Sequence, residues 1–105
     1  MTLGQKQRDF TRKLALLILY AYEIGYEISI SRGYASEVAN VADGGHTDSL
    51  HLKRLAMDLN LFKDGEYITD GTGHDQLHDF WDKLGGAARI ANDMNHYSMA
   101  HGGMR

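Results

Sequence analysis

The sequence predicts an α+β domain in which a small antiparallel sheet packs against an N-terminal helix and a second helix. Three patterns predict it. The first two dozen residues carry apolar side chains at helical spacing, Leu55 to Phe62 alternates strictly and runs into an Asp-Gly pair, and a second helical stripe ends in a double glycine.

In the first element, Phe10, Leu14, Leu17, Ile18, Ala21 and Ile24 recur every three or four positions, so one face of a helix is apolar. Thr2 followed by Gln5 fits a capping box at its start, and Gly25 fits its end. Tyr26 to Ile30 reads as a short strand. Arg32 to Asn40 is expected to form a helical turn, and Val41 to Asp48 a loop built on Asp43-Gly44-Gly45. The alternation that follows puts Leu55, Met57, Leu59 and Leu61 on one face of a strand and Ala56, Asp58, Asn60 and Phe62 on the other. Lys63-Asp64-Gly65-Glu66 then makes a hairpin turn, with Tyr67-Ile68 as the return strand. After an Asp70 to Gly73 loop, Leu77, Phe80, Trp81 and Leu84 form the second helical stripe, with Trp81 in the core and Gly85-Gly86 as the stop. A last strand is expected around His96 to Met99, followed by a frayed Gly-rich end.

Length and charge bound the function. A chain of 105 residues suits one domain, 1–105, and its 43% hydrophobic and 24% charged residues are those of a soluble globular protein. A net charge of −3 leaves no cationic excess for nucleic acid. The uncharged run Leu14 to Tyr22 is far shorter than the roughly 20 residues a membrane span needs, so no membrane insertion is expected. Nor does a small-x-small cleavage site follow that run, so no signal peptide is expected. With no cysteine, any metal must be held by His, Asp or Glu.

Two constellations carry the chemistry. His51 stands seven positions before Asp58, and Asp58 lies within a run of Leu, Ala and Met, where a carboxylate needs a partner. A cation would supply one. A turn cap, or pairing with Lys53 or Arg54, would do so as well. Near the C-terminal end, Asp93 stands three positions before His96. Two imidazoles and one carboxylate leave the fourth tetrahedral position of Zn2+ open for water, and a second carboxylate, Asp93, can take that water's proton. Asp93 and Asn95 also suit a plain turn. His74-Asp75-Gln76-Leu77-His78 mimics a two-His helical zinc motif with Asp in place of Glu. The alternative there is a solvated helix N-terminus on which Asp75 and Asp79 favour the dipole. His46 and His101 lie in Gly-rich loops as lesser candidates.

Ser49-x-His51 followed by Ala56-x-Asp58-Leu59, together with Asp93-x-x-His96-Tyr97, resembles the family of D-alanyl-D-alanine carboxypeptidases and L-alanyl-D-glutamate endopeptidases, the small phage endolysins in particular. Trp81 with Leu84-Gly85-Gly86 falls where that family has a tryptophan and a double glycine between its motifs. The resemblance implies a Hedgehog/DD-peptidase-like fold, a zinc ion on His51, Asp58 and His96, and Asp93 as general base and then general acid. It also implies substrate contacts from Ser49 and Tyr97. Arg32 is the first candidate for the substrate's carboxylate or oxyanion, and Arg89 the second. The family often has Gly where this chain has Arg54, and it orders its substrate arginine as Tyr-Arg, whereas here Arg32-Gly33-Tyr34 reverses the order.

The expected partner is a peptidoglycan stem peptide, cut by a monomeric phage enzyme. Such an enzyme would wait in the host cytoplasm until a separate membrane protein released it to the wall. Other readings of the same residues are a D-Ala-D-Ala carboxypeptidase, a virion-associated component, and a non-catalytic module that zinc only stabilises.

Overall fold

A computed structural model describes residues 1–42, 44 and 48–105. Its elements run α1 (Leu3–Glu23), β1 (Glu27–Ile30), α2 (Glu37–Ala42), β2 (Ala56–Lys63), β3 (Glu66–Tyr67), α3 (Thr72–Lys83) and β4 (His96–Ser98). The expected α+β class and the antiparallel pairing are both present. No helix among the described residues is long and apolar enough to cross a membrane.

The first helix forms for the reasons legible in its residues. The Thr2 hydroxyl accepts from the Gln5 amide while the Gln5 side chain accepts from the Thr2 amide, so two otherwise unpaired donors are satisfied. Phe10, Leu14, Leu17 and Ala21 are buried, and Gly25, at φ 97, turns the chain out of the helix. The next helix is shorter and later than expected. It begins only at Glu37, where the Ser36 hydroxyl accepts from the Ala39 amide as an N-cap does. Of the loop expected over Val41 to Asp48, Asp43, Gly45, His46 and Thr47 lie outside the described residues.

The sheet is organised around β2. Its second half pairs with β1 (Ile28↔Leu61, Ile30↔Leu59), and its last residues pair with β3 through a hairpin whose Asp64 and Gly65 both take positive φ. That is the two-residue turn an Asp-Gly pair favours. The first half of β2 pairs with β4, Ala56 against Ser98 and Asp58 against His96.

Leu55, Leu59 and Leu61 are fully buried and join Leu17, Ala21, Leu77 and Trp81 in one core. Phe10 meets Trp81 edge-on, and Tyr20 stacks on Phe80, which seats α1 against α3. The α3 helix begins at Thr72, inside the segment expected to be a loop. Gly73 belongs to it because a side chain there would collide with Leu61 and Tyr26, so the helix can lie directly on the sheet. The C-terminal end is also tied down rather than frayed. His101 and Met104 exchange backbone hydrogen bonds, and Lys6 Nζ donates to the Ala100 carbonyl at 3.0 Å.

The double glycine after α3 has two separate causes. Gly85 takes φ 87, while Gly86 lies so close to the Trp81 indole that a Cβ would overlap Nε1 and its neighbours. The indole N–H donates to the Ser98 carbonyl at 2.9 Å, so that ring also anchors β4. Gly86→Ala is therefore expected to destabilise the protein by about 3 kcal/mol through overpacking, read as a lower urea midpoint at unchanged m-value.

Candidate metal centre

The metal site is a product of strand register. Leu59 N–H donates to Asn95 O and Met99 N–H to Leu55 O, while the Asp58 N–H turns the other way, to Arg32 O at 2.7 Å. Asp58 and His96 are therefore a non-hydrogen-bonded pair of the β2–β4 ladder, the kind whose side chains stand closest. His51 arrives from the turn before β2. The Ser49 hydroxyl accepts its amide at 3.3 Å, and the His51 carbonyl accepts from Ala35 and Arg54. Arg54 stands at φ 56, in the left-handed region, and so occupies a glycine-like position. Its guanidinium lies over the Tyr34 ring, 4.1 Å from the centroid.

Asp58 Oδ1 lies 3.3 Å from His51 Nε2 and 3.2 Å from His96 Nδ1, and one donor atom from each of the three residues lies within 4.8 Å of the others. For metal–donor bonds of about 2.0–2.1 Å, a tetrahedron has an edge of roughly 3.3 Å, so these spacings fit a zinc-sized ion. The tautomer fits as well. His51 Nδ1 is 2.7 Å from the Gly33 carbonyl, which can only accept, so Nδ1 carries the hydrogen and Nε2 turns a lone pair to the site. Sequence reasoning did not single out Gly33, because a backbone carbonyl leaves no mark in residue type.

The electrostatics agree. Burial alone would raise the Asp58 carboxyl, but hydrogen bonds and charge from His51 and His96 outweigh it and hold the group at about 2. Burial likewise opposes protonation of His51. Asp58 and the Gly33 carbonyl overcome it and raise the imidazole above its ordinary value, against the positive charge of Arg32. The cluster is thus a fixed negative charge flanked by two imidazoles, a donor set that can hold a divalent cation.

A cavity of about 200 Å³ opens on the cluster, lined by Ser49, His51, Asp58, Asp93, His96 and Arg105 among others. Asp93 is exposed in the turn that leads into His96, and it also borders a neighbouring cleft of about 430 Å³ with Tyr67, Asp70 and His74. Arg32 is half-buried, and its backbone carbonyl is bound to the Asp58 amide.

Two expected substrate contacts lie elsewhere. Tyr97 is 0% exposed, its hydroxyl 2.6 Å from His74 Nδ1, because alternation in β4 turns it to the opposite face from His96 and into the core. The Arg89 guanidinium is held by Asp75, Asp79 and Asp82 of α3 at 3.1, 2.6 and 3.3 Å, so helix carboxylates already occupy it. Arg105, which sequence reasoning passed over in a tail expected to fray, lines the cavity instead.

The rival histidine pair is turned to other partners, His74 Nδ1 to the Tyr97 hydroxyl and His78 Nε2 to the Met94 carbonyl. Among the described residues, only His51, Asp58 and His96 form a group with ligand spacing. Nor is that pair solvated: His74 and His78 are 5% and 0% exposed, in the same stripe as Leu77 and Trp81. That stripe, read at i, i+3, i+4 and i+7, was the available signal. His46 lies outside the described residues. His101 Nδ1 is 3.2 Å from Lys6 Nζ.

A His–Asp–His cluster at the foot of a cleft, with an exposed carboxylate on its rim, is the equipment of a hydrolase, and on this fold it defines a small α+β peptidase. The chain belongs to the peptidase M15 family, whose model matches residues 5–89. The match ends before Asp93 and His96, so the second half of the site rests on geometry. In fold the chain is similar to the crystal structure of the Serratia marcescens L-Ala D-Glu endopeptidase ChiX, with a TM-score of 0.65 over 92% of this chain and 85% of that one, at 17% identity. No curated protein matches the sequence.

Burial pushes His74 down to about 4, with the nearby His78 adding to the effect. The folded protein therefore keeps this ring neutral over a range in which the unfolded chain binds a proton. Stability from this group is complete above about pH 6.5 and is lost as pH falls toward 4, by up to on the order of 3 kcal/mol. Urea unfolding with chelator present is expected to show a smaller loss between pH 7 and pH 4 in His74→Gln than in the parent protein.

Proposed function

We propose that this protein is a zinc-dependent peptidase that hydrolyses peptidoglycan stem peptides, most favourably the L-Ala–D-Glu bond, and that it serves as a phage endolysin. The observation that carries the reading is the convergence of His51, Asp58 and His96 on one point beside Asp93, in a chain of the peptidase M15 family. The fold likeness to an L-Ala D-Glu endopeptidase supports the choice of bond.

In this reading His51 Nε2, His96 Nδ1 and an Asp58 oxygen hold the ion, with Gly33 and Ser49 fixing His51. The bound ion supplies Lewis acidity, polarising the scissile carbonyl and making water acidic enough to deprotonate near neutral pH. Asp93 takes the proton from the attacking water and returns it to the departing amine. Arg32, whose charge is felt at His51, and Arg105, on the cavity wall, are the cations that meet the substrate's carboxylates. In the endolysin role the enzyme waits in the host cytoplasm until a membrane protein releases it to the wall.

Purified peptidoglycan digested with and without a chelator, and read by mass spectrometry, tests this directly. New amino termini on D-Glu, lost with the chelator, are expected; release of terminal D-Ala would assign the carboxypeptidase reaction instead. Asp93→Ala is expected to keep one zinc per chain while turnover falls by at least a hundredfold. Unchanged wall lysis in that variant would sink the assignment of Asp93 and favour a module in which the metal is only structural.

A further inference from the structure

The buried histidines of α3 do not belong to the metal cluster, and His78 is the more demanding of the two. It is fully buried, it stacks on Tyr97 with ring centroids 4.2 Å apart, and its Nε2 lies 2.8 Å from the Met94 carbonyl. A carbonyl only accepts, so Nε2 carries the hydrogen. Burial lowers the affinity of this ring for a second proton, which leaves Nδ1, buried and without a partner, as a bare lone pair.

An apolar side chain would fill the same space without leaving a nitrogen unpaired. What histidine adds is one N–H directed at the backbone of a particular turn. Met94 lies between Asp93 and His96, in a turn whose other backbone bonds are two local ones, Asp93 N–H to Ile90 O at 3.0 Å and His96 N–H to Asp93 O at 3.1 Å, and the bond from Leu59 N–H to Asn95 O at its β4 end. Asn92, beside it, stands at φ 64. The turn is largely exposed, and it must hold an acid on the rim of the metal cavity.

We propose that His78 is a positioning residue which grips the Met94 carbonyl from α3 and thereby fixes where Asp93 stands relative to His51, Asp58 and His96. The bond ties the turn to a helix seated on the core through Leu77 and Trp81. Its effect on turnover rests on the peptidase reading above; its effect on the turn does not.

Two substitutions separate this role from simple packing. His78→Phe keeps a flat ring over Tyr97 and removes the N–H, and His78→Gln returns an amide donor near the position of Nε2. In zinc-loaded protein, His78→Phe is expected to lower kcat ten- to a hundredfold, the scale of an acid displaced by about an ångström, with KM and zinc stoichiometry unchanged. Amide exchange at His96 is expected to quicken at least tenfold while that of Leu17 in α1 stays as it was, and His78→Gln is expected to recover most of both. Nitrogen NMR of the parent protein should find His78 as the Nε2–H tautomer.

An Nδ1–H tautomer, or His78→Phe with the parent's kcat and His96 exchange, overturns the proposal and leaves the peptidase reading standing. If the parent protein cleaves no wall peptide, the peptidase reading fails, and the tautomer and exchange results still decide whether His78 holds the turn. Should His78→Phe not fold, the tautomer and His78→Gln decide it, since a Gln variant with His96 exchange as fast as an unprotected amide overturns the grip.

Discussion

A carboxylate on the central strand, held between two imidazoles, is the constraint from which the rest of this structure follows. Asp58 is half-buried on β2, flanked by Arg32 on one side and by β4 on the other. A charge so placed is tolerated only with partners that offset its lost hydration. His51 and His96 are those partners, and a cation is the partner that all three are disposed to share. Because the side-chain period of a strand is two, a slip of one residue between β2 and β4 would send His96 to the core face and Tyr97 to the site. The register is therefore both a structural and a chemical specification. It is enforced from the core side, where Tyr97 is locked by His74, His78 and Trp81.

This gives the molecule two unlike halves that meet at β4. One face of that strand is polar, and carries His96 to the wall of a cavity. The other is buried, and its polar groups are answered inside: the Tyr97 hydroxyl by His74, and the Ser98 carbonyl by the Trp81 indole. Such a backing suits a site that must hold its donors still, since ligand atoms spaced for a small ion leave little room for drift. The acid on the rim has no such backing of its own. It sits in an exposed turn, and among the described residues the α3 contact to Met94 is the one long-range bond to that turn's backbone besides the strand ladder itself.

Much of the local structure could be read directly because it depends on near neighbours. Thr2 and Gln5 make their capping box whatever lies beyond α1, Asp64-Gly65 makes its turn from its own backbone preferences, and the alternation of Leu55 to Leu61 already separates Asp58 from the aliphatic face. What was misread depends on distant packing. Gly73 looked like a loop residue because nothing local reveals that Leu61 and Tyr26 press against it. Arg89 looked available because the three α3 carboxylates that hold it come seven to fourteen positions earlier. His74 and His78 looked solvated because an imidazole at the start of a helix usually is, and only a buried tyrosine and a backbone carbonyl from β4's approach turn them inward.

By itself the sequence determined which residues had the chemistry: two histidines and two aspartates in motifs spaced like those of a peptidase family, and a core able to carry them. Residue type and spacing decide donor atoms, charge and periodicity, and those are written in the chain. Only the tertiary structure decided that β4 returns against the first half of β2 with Asp58 opposite His96, that Tyr97 faces inward, and that the C-terminal residues reach the cavity. The physical reason is that these facts belong to contacts between segments some forty residues apart, where the burial of the whole core, rather than any local preference, selects the pairing.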